Sequence, residues 1–156
     1  ELINRVAQKH DRVKVKWMRG NHDKDTSVVI GAMLKQIYLN NERVTISPTA
    51  AYFQAAQFHN VALGFTHGDT VKMSELPLIM ATQFPKIWSD TTYRVFHTGH
   101  IHHRVVEEFN GCDVEAHRSP TVRDQWHEEQ GYRSKRSISS IIYDFDGEYA
   151  RNTINL

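Results

Sequence analysis

Apolar residues along this chain recur in short runs of two kinds, and the spacing inside each run predicts the element it forms. Val13-Lys14-Val15-Lys16-Trp17 alternates strictly, which puts Val13, Val15 and Trp17 on one face of a strand and both lysines on the other. Residues 1–10 carry Leu2, Ile3 and Val6 at the spacing of a short amphipathic helix. Over 25–40, Val29, Met33 and Ile37 recur every fourth residue with Ile30, Leu34 and Tyr38 beside them. That is a helix with a wide apolar stripe, whose start Asp25, Thr26 or Ser27 would cap. Residues 74–90 hold Leu76, Met80, Phe84, Ile87 and Trp88 in helical register, divided in two by Pro85, which cannot donate to the helical ladder.

Between these helices the pattern shortens to strands. Val44-Thr45-Ile46 ends at Ser47-Pro48. Residues 51–58 and 61–65 flank His59-Asn60 as a hairpin, and Tyr93 to His97 forms a further strand. Val105 to Phe109 and Val114 to His117 flank Asn110-Gly111, a strong hairpin turn signal, and 138–145 with 148–153 make a last hairpin across Asp146-Gly147. Residues 118–136 read as irregular. Helices interleaved with strands imply an α/β class, and no repeat, low-complexity tract or linker divides the chain.

Composition changes this picture at one point. A length of 156 residues suits one domain with a sizeable core, and a net charge of +1 gives no strong pull toward nucleic acid or a membrane surface. The single cysteine, Cys112, cannot form an internal disulfide, so a cytoplasmic location is expected. No apolar run approaches the ~20 residues of a membrane span. Ten histidines are the unusual count, and they point toward a metal.

Four of those histidines fall in Phe96-His97-Thr98-Gly99-His100-Ile101-His102-His103, and two earlier segments answer it: Arg19-Gly20-Asn21-His22-Asp23 and Phe65-Thr66-His67-Gly68-Asp69. Each follows an apolar run and contains a glycine, so each reads as a loop at a strand end, and the three can converge on one rim. Imidazole nitrogens with carbonyl or carboxylate oxygens suit a divalent transition metal. On an extended segment His100 and His102 would leave the same face and clamp one metal or serve two.

Gly20-Asn21-His22-Asp23, His67-Gly68 and Gly99-His100-Ile101-His102, in that order, resemble the motifs of the calcineurin-like metallophosphoesterases, over about residues 13–110. The resemblance implies an αββα sandwich of mixed β-sheets flanked by helices, and two divalent ions, manganese, iron or zinc. It implies a phosphoester substrate, nucleic acid or nucleotide among the options, as in the nuclease-like and phosphodiesterase branches. By the same resemblance Asn21, His67 and His100 bind the second metal and His102 the first. His22 faces the phosphate as general acid, and Asp23 orients it. Asp69 stands where the family often has a second histidine, and an outer-shell role is expected of it.

One departure matters. The D-x-H motif and the Gly-Asp carrying the bridging carboxylate, which open the family's pattern, do not precede Gly20. We therefore expect the C-terminal portion of a metallophosphoesterase domain, a partial sandwich whose activity alone is impaired. The rival expectation is a non-catalytic interaction module that keeps the scaffold. Of the remaining histidines, His97 is expected to pack in its strand and His103 to face solvent, while His117 could point back toward the site. Between 118 and 136, Arg118, Arg123, Arg133, Lys135 and Arg136 with Trp126 and Tyr132 suggest a substrate loop. The interspersed Asp124, Glu128 and Glu129 favour a solvated connection instead.

Overall fold

In the computed structural model, residues 1–121 and 135–156 are described, and they form two compact units, Glu1–Gln54 and Ala55–Leu156. The substrate-loop residues Arg123, Asp124, Trp126, Glu128, Glu129, Tyr132 and Arg133 lie outside the described residues.

The first unit runs α1 (Leu2–Ala7), β1 (Val13–Val15), α2 (Lys24–Ile37) and β2 (Val44–Ile46). β1 and β2 pair in parallel, Val13 opposite Val44 and Val15 opposite Ile46, a connection that α2 supplies. Tyr38, Val44 and Ile46 are buried at the centre, with Ile3, Ala7, Val15, Trp17 and Leu34 packed on them. The Tyr38 hydroxyl donates to Asn4 Oδ1 at 2.7 Å, tying the end of α2 to α1.

The face α2 turns inward differs from the expected stripe. Ser27, Gly31 and Tyr38 are the covered positions, while Val29, Met33 and Ile37 stand exposed. The reason is steric. A Cβ built on Gly31 would lie 2.1 Å from the Trp17 ring, so the helix docks where the indole fits, with Leu34 and Tyr38 of the expected stripe on the core and Val29, Met33 and Ile37 left outside. The start of the helix also moves: Asp23 is the cap position, and its Oδ1 accepts the Gly20 N–H at 2.7 Å, so Asp25, Thr26 and Ser27 fall inside the first turn.

The second unit is built on a five-stranded sheet in the order β3 (Gln54–Phe58), β4 (Val61–Phe65), β5 (Tyr93–Thr98), β7 (Cys112–Ala116), β6 (Val105–Phe109). β4, β5 and β7 run parallel and β6 returns antiparallel, with Phe109 opposite Cys112 across the Asn110-Gly111 turn, where Gly111 sits at φ +83°. The expected α/β class, with a mixed sheet flanked by helices, is met.

Alternation assigns the two faces. On one, Ala62, Gly64, Phe96, Val114 and Ala116 are buried against α3 (Leu76–Gln83), whose Leu76 and Met80 are fully covered. Gly64 is needed there: a Cβ would come within 2.6 Å of both Met80 Cε and the Phe96 ring. The chain breaks at Phe84 (φ −127°, ψ 52°) before α4 (Pro85–Ser89), the interruption Pro85 leads one to expect. Arg94 lies over the Trp88 ring of α4 at 4.2 Å. The buried Cys112 thiol opens β7, its pKa pushed up to about 12 by burial and by Asp113. The opposite face carries the antiparallel hairpin of β8 (Ser137–Tyr143) and β9 (Glu148–Asn155). Among the described residues, no helix is long and apolar enough to cross a membrane.

Candidate metal centre

The hydrogen-bond ladder between β4 and β5 continues past the strands. Thr66 N–H donates to the His97 carbonyl at 3.1 Å and Gly99 N–H to the His67 carbonyl at 2.9 Å, which holds the two histidine loops side by side. Gly68 then turns the chain at φ +101°, a conformation open to glycine. The His67 and His100 rings meet edge to face, centroids 5.2 Å apart.

His100 and His102 are not on an extended segment, so the expectation that alternation points both to one face is overturned. Ile101 N–H donates to the Gly99 carbonyl at 2.7 Å, a three-residue turn centred on His100 at φ +62°, and His102 follows at φ +57°. Gly99 starts a tight bend rather than the extended run that period-two spacing assumes. Both rings are half-buried; His103 is exposed, as expected, with Nδ1 2.7 Å from the Ile101 carbonyl.

Asn21, His22 and Asp23 belong to the first unit, on the loop into α2. His22 and Asp23 are exposed, and the Asp23 contact to Gly20 closes that loop on itself. Asp69 is half-buried just beyond Gly68.

A second histidine group lies on the hairpin-covered face. His97 on β5 and Glu115 on β7 are register partners, and His117 leaves the same side two residues on. His97 Nδ1 and His117 Nε2 are 2.8 Å apart, and His97 Nε2 is 2.8 Å from the Tyr143 hydroxyl. Glu115, 3% exposed, accepts Arg151 Nη1 and Arg104 Nε on Oε1 at 2.6 and 2.8 Å, and Arg151 Nη2 on Oε2 at 2.7 Å. Arg151 also pairs with Glu148. Burial opposes Glu115's charge, yet hydrogen bonds from Arg151 and Arg104 hold its carboxyl down at about 2. Burial and the neighbouring His117 push His97 down to about 4, and burial lowers His117 as well. Both imidazoles are therefore neutral at neutral pH. One ligand atom from each of His97, Glu115 and His117 lies within 4.8 Å of the others, so the three could hold a divalent ion.

His97 packs in its strand as expected, against Phe65 and Tyr143, and Glu115 went unnoticed in the sequence. A signal was present: Val114-Glu115-Ala116 sets a carboxylate in an apolar strand, and such a group needs a partner. His117, read as able to point back toward the loop histidines, faces His97.

A pH effect follows for the metal-free chain. Unfolded His97 takes a proton near pH 6.5, whereas the folded residue refuses it until about pH 4. Stability is therefore complete above pH 6.5 and falls as pH drops through that window, by ~3 kcal/mol in all. Urea midpoints measured with a chelator from pH 7 to 4 should show this slope, and His97→Gln should flatten it.

No family model matches the chain, and no curated protein matches it. Three solved structures of Vps29 from Entamoeba histolytica are similar to it. A single mutant is 13% identical over 72% of this chain and 64% of that one, with a TM-score of 0.45. The wild type complexed with zinc is 15% identical over 74% and 66%, at 0.43. A double mutant is 15% identical over 99% and 88%, at 0.45. The chain thus spans a little under two thirds of the first of these, and a likeness at this level leaves its function to be argued from its residues.

Proposed function

We propose that the chain carries part of a metal-dependent phosphoesterase centre acting on phosphomonoesters or phosphodiesters, nucleotides and nucleic acids among them. His67 and His100 are its paired imidazole ligands, and His102 contributes a further one. The observation that carries this reading is the backbone of the Gly99-His100-Ile101-His102 loop. Left-handed φ at a non-glycine residue costs ~1–3 kcal/mol, and such residues cluster where a site needs them. Here two of them follow one strand, both are histidines, and one ring already meets His67.

The donor set fits a borderline transition metal such as zinc, manganese or iron, with half-buried imidazoles and few carboxylates. When bound, such an ion acts as a Lewis acid on the phosphoryl group and lowers the pKa of its water. The chain's own residues do the rest. The backbone bond from Gly99 N–H to the His67 carbonyl holds the His67 and His100 loops side by side.

Hydrolysis of bis(p-nitrophenyl) phosphate and p-nitrophenyl phosphate tests the proposal with manganese, iron and zinc added in turn. Turnover is expected to be slow, because these 156 residues contain neither D-x-H nor the bridging aspartate motif ahead of Gly20. It should depend on metal and vanish in His100→Gln. Hydrolysis indifferent to His67→Gln and His100→Gln would discard the proposal. Metal bound through His67 and His100 without any turnover would favour the non-catalytic interaction module.

A further inference from the structure

We infer that His97, Glu115 and His117 form a second divalent-metal site, of zinc-like preference, on the hairpin-covered face of the sheet. It uses none of the side chains assigned to the phosphoester centre and does not rest on that assignment.

Geometry carries the inference. Parallel register and alternation bring three ligand atoms within 4.8 Å, on two neighbouring strands inside one sheet rather than on free loops. The nitrogens that face each other, His97 Nδ1 and His117 Nε2, stand 2.8 Å apart. Two imidazoles on one tetrahedral zinc, each bond ~2.0–2.1 Å, hold their nitrogens ~3.4 Å apart. Widening that gap by ~0.6 Å, turning both rings toward a common point and drawing the Glu115 carboxylate in would replace the shared hydrogen bond by an ion.

The surroundings are those of a ligand pair. Histidines bound to a metal use their other ring nitrogen on an outer partner that sets tautomer and orientation, and Tyr143 takes that place at His97 Nε2. With the ion on Nδ1, His97 carries its proton on Nε2 and donates it to the tyrosine oxygen.

Glu115 supplies the third ligand. Of its roughly four lone-pair positions, Oε1 uses two for Arg104 and Arg151 and Oε2 one for Arg151, which leaves an Oε2 position open among the described residues. The two guanidinium groups select the class of ion. A hard cation such as calcium or magnesium needs six or more oxygens, and this group offers one shared carboxylate, whereas two imidazoles favour zinc, cobalt, nickel or copper. A cavity of about 440 Å³ lined by Phe65, Ile141 and Arg118 opens on both histidines. It has room for a fourth ligand, water or a small anion.

Cobalt reports the site without any assay of activity. In a His67→Gln/His100→Gln background, which removes the other imidazole pair, Co²⁺ should still give the intense visible bands of tetrahedral coordination, and zinc should displace it. Adding His117→Gln should abolish the bands. Tyr143→Phe, which keeps all three ligands, should weaken Co²⁺ ~10-fold, and circular dichroism checks that each variant is folded. Absence of tetrahedral bands in the folded background variant, or bands that survive His117→Gln, would overturn the site and leave His97 and His117 as a plain hydrogen-bonded pair.

Discussion

Replacing Arg151 with methionine is expected to cost ~3–5 kcal/mol, the range found when one partner of a buried ion pair is removed. The Glu115 side chain is 4% exposed and Arg151 is 18% exposed, so this pair is hidden from solvent, whereas Arg104, at 50%, is not. Without Arg151 the buried carboxylate keeps only the exposed arginine, and Glu148 loses its partner too. For a unit of about 100 residues the loss should appear as a fall of ~15–25 °C in the melting midpoint. A double replacement, Glu115→Met with Arg151→Met, separates causes. It should melt closer to the wild type than Arg151→Met does, because the penalty comes from an uncompensated charge more than from a missing attraction. A double variant as unstable as the single would show that packing by the arginine stem is what matters.

Phe96→Ala should be comparably damaging, at ~3–5 kcal/mol, by opening a cavity in the helix-covered face. Phe96 is fully buried, and Gly64, its register partner, contributes no side chain, so the space between strand and helix is filled by the phenyl ring and Met80. Gly64→Ala alone should also destabilise, by overpacking of ~1–3 kcal/mol. Placed together the two changes should cost less than their sum, since the added methyl would enter the vacated space. Thermal melts of the two single variants and the double variant measure that coupling, and simple additivity would mean that Gly64 and Phe96 do not share a boundary.

Much of the second unit was legible because its signals are local. Asn110-Gly111 marks the β6–β7 turn, Asp146-Gly147 marks the last hairpin, and Pro85 marks the break between α3 and α4. The inward face of α2 was not legible, because the helix docks where a missing side chain admits Trp17, and a scan for apolar residues passes over a glycine. At the candidate sites the histidine motifs stood out, but the left-handed turn at His100 did not, since period-two reasoning assumes an extended chain. The His97, Glu115 and His117 group depends on β5 pairing with β7, strands that are distant in sequence, so each residue looks ordinary until register is known.

Cys112 gives this molecule an internal clock. Its thiol begins the strand next to β5 and is held protonated and out of reach, so a thiol-specific reagent can modify it only after the sheet has parted. The modification rate then measures how often the layer bearing both groups of imidazoles opens, under native conditions and without any engineered probe.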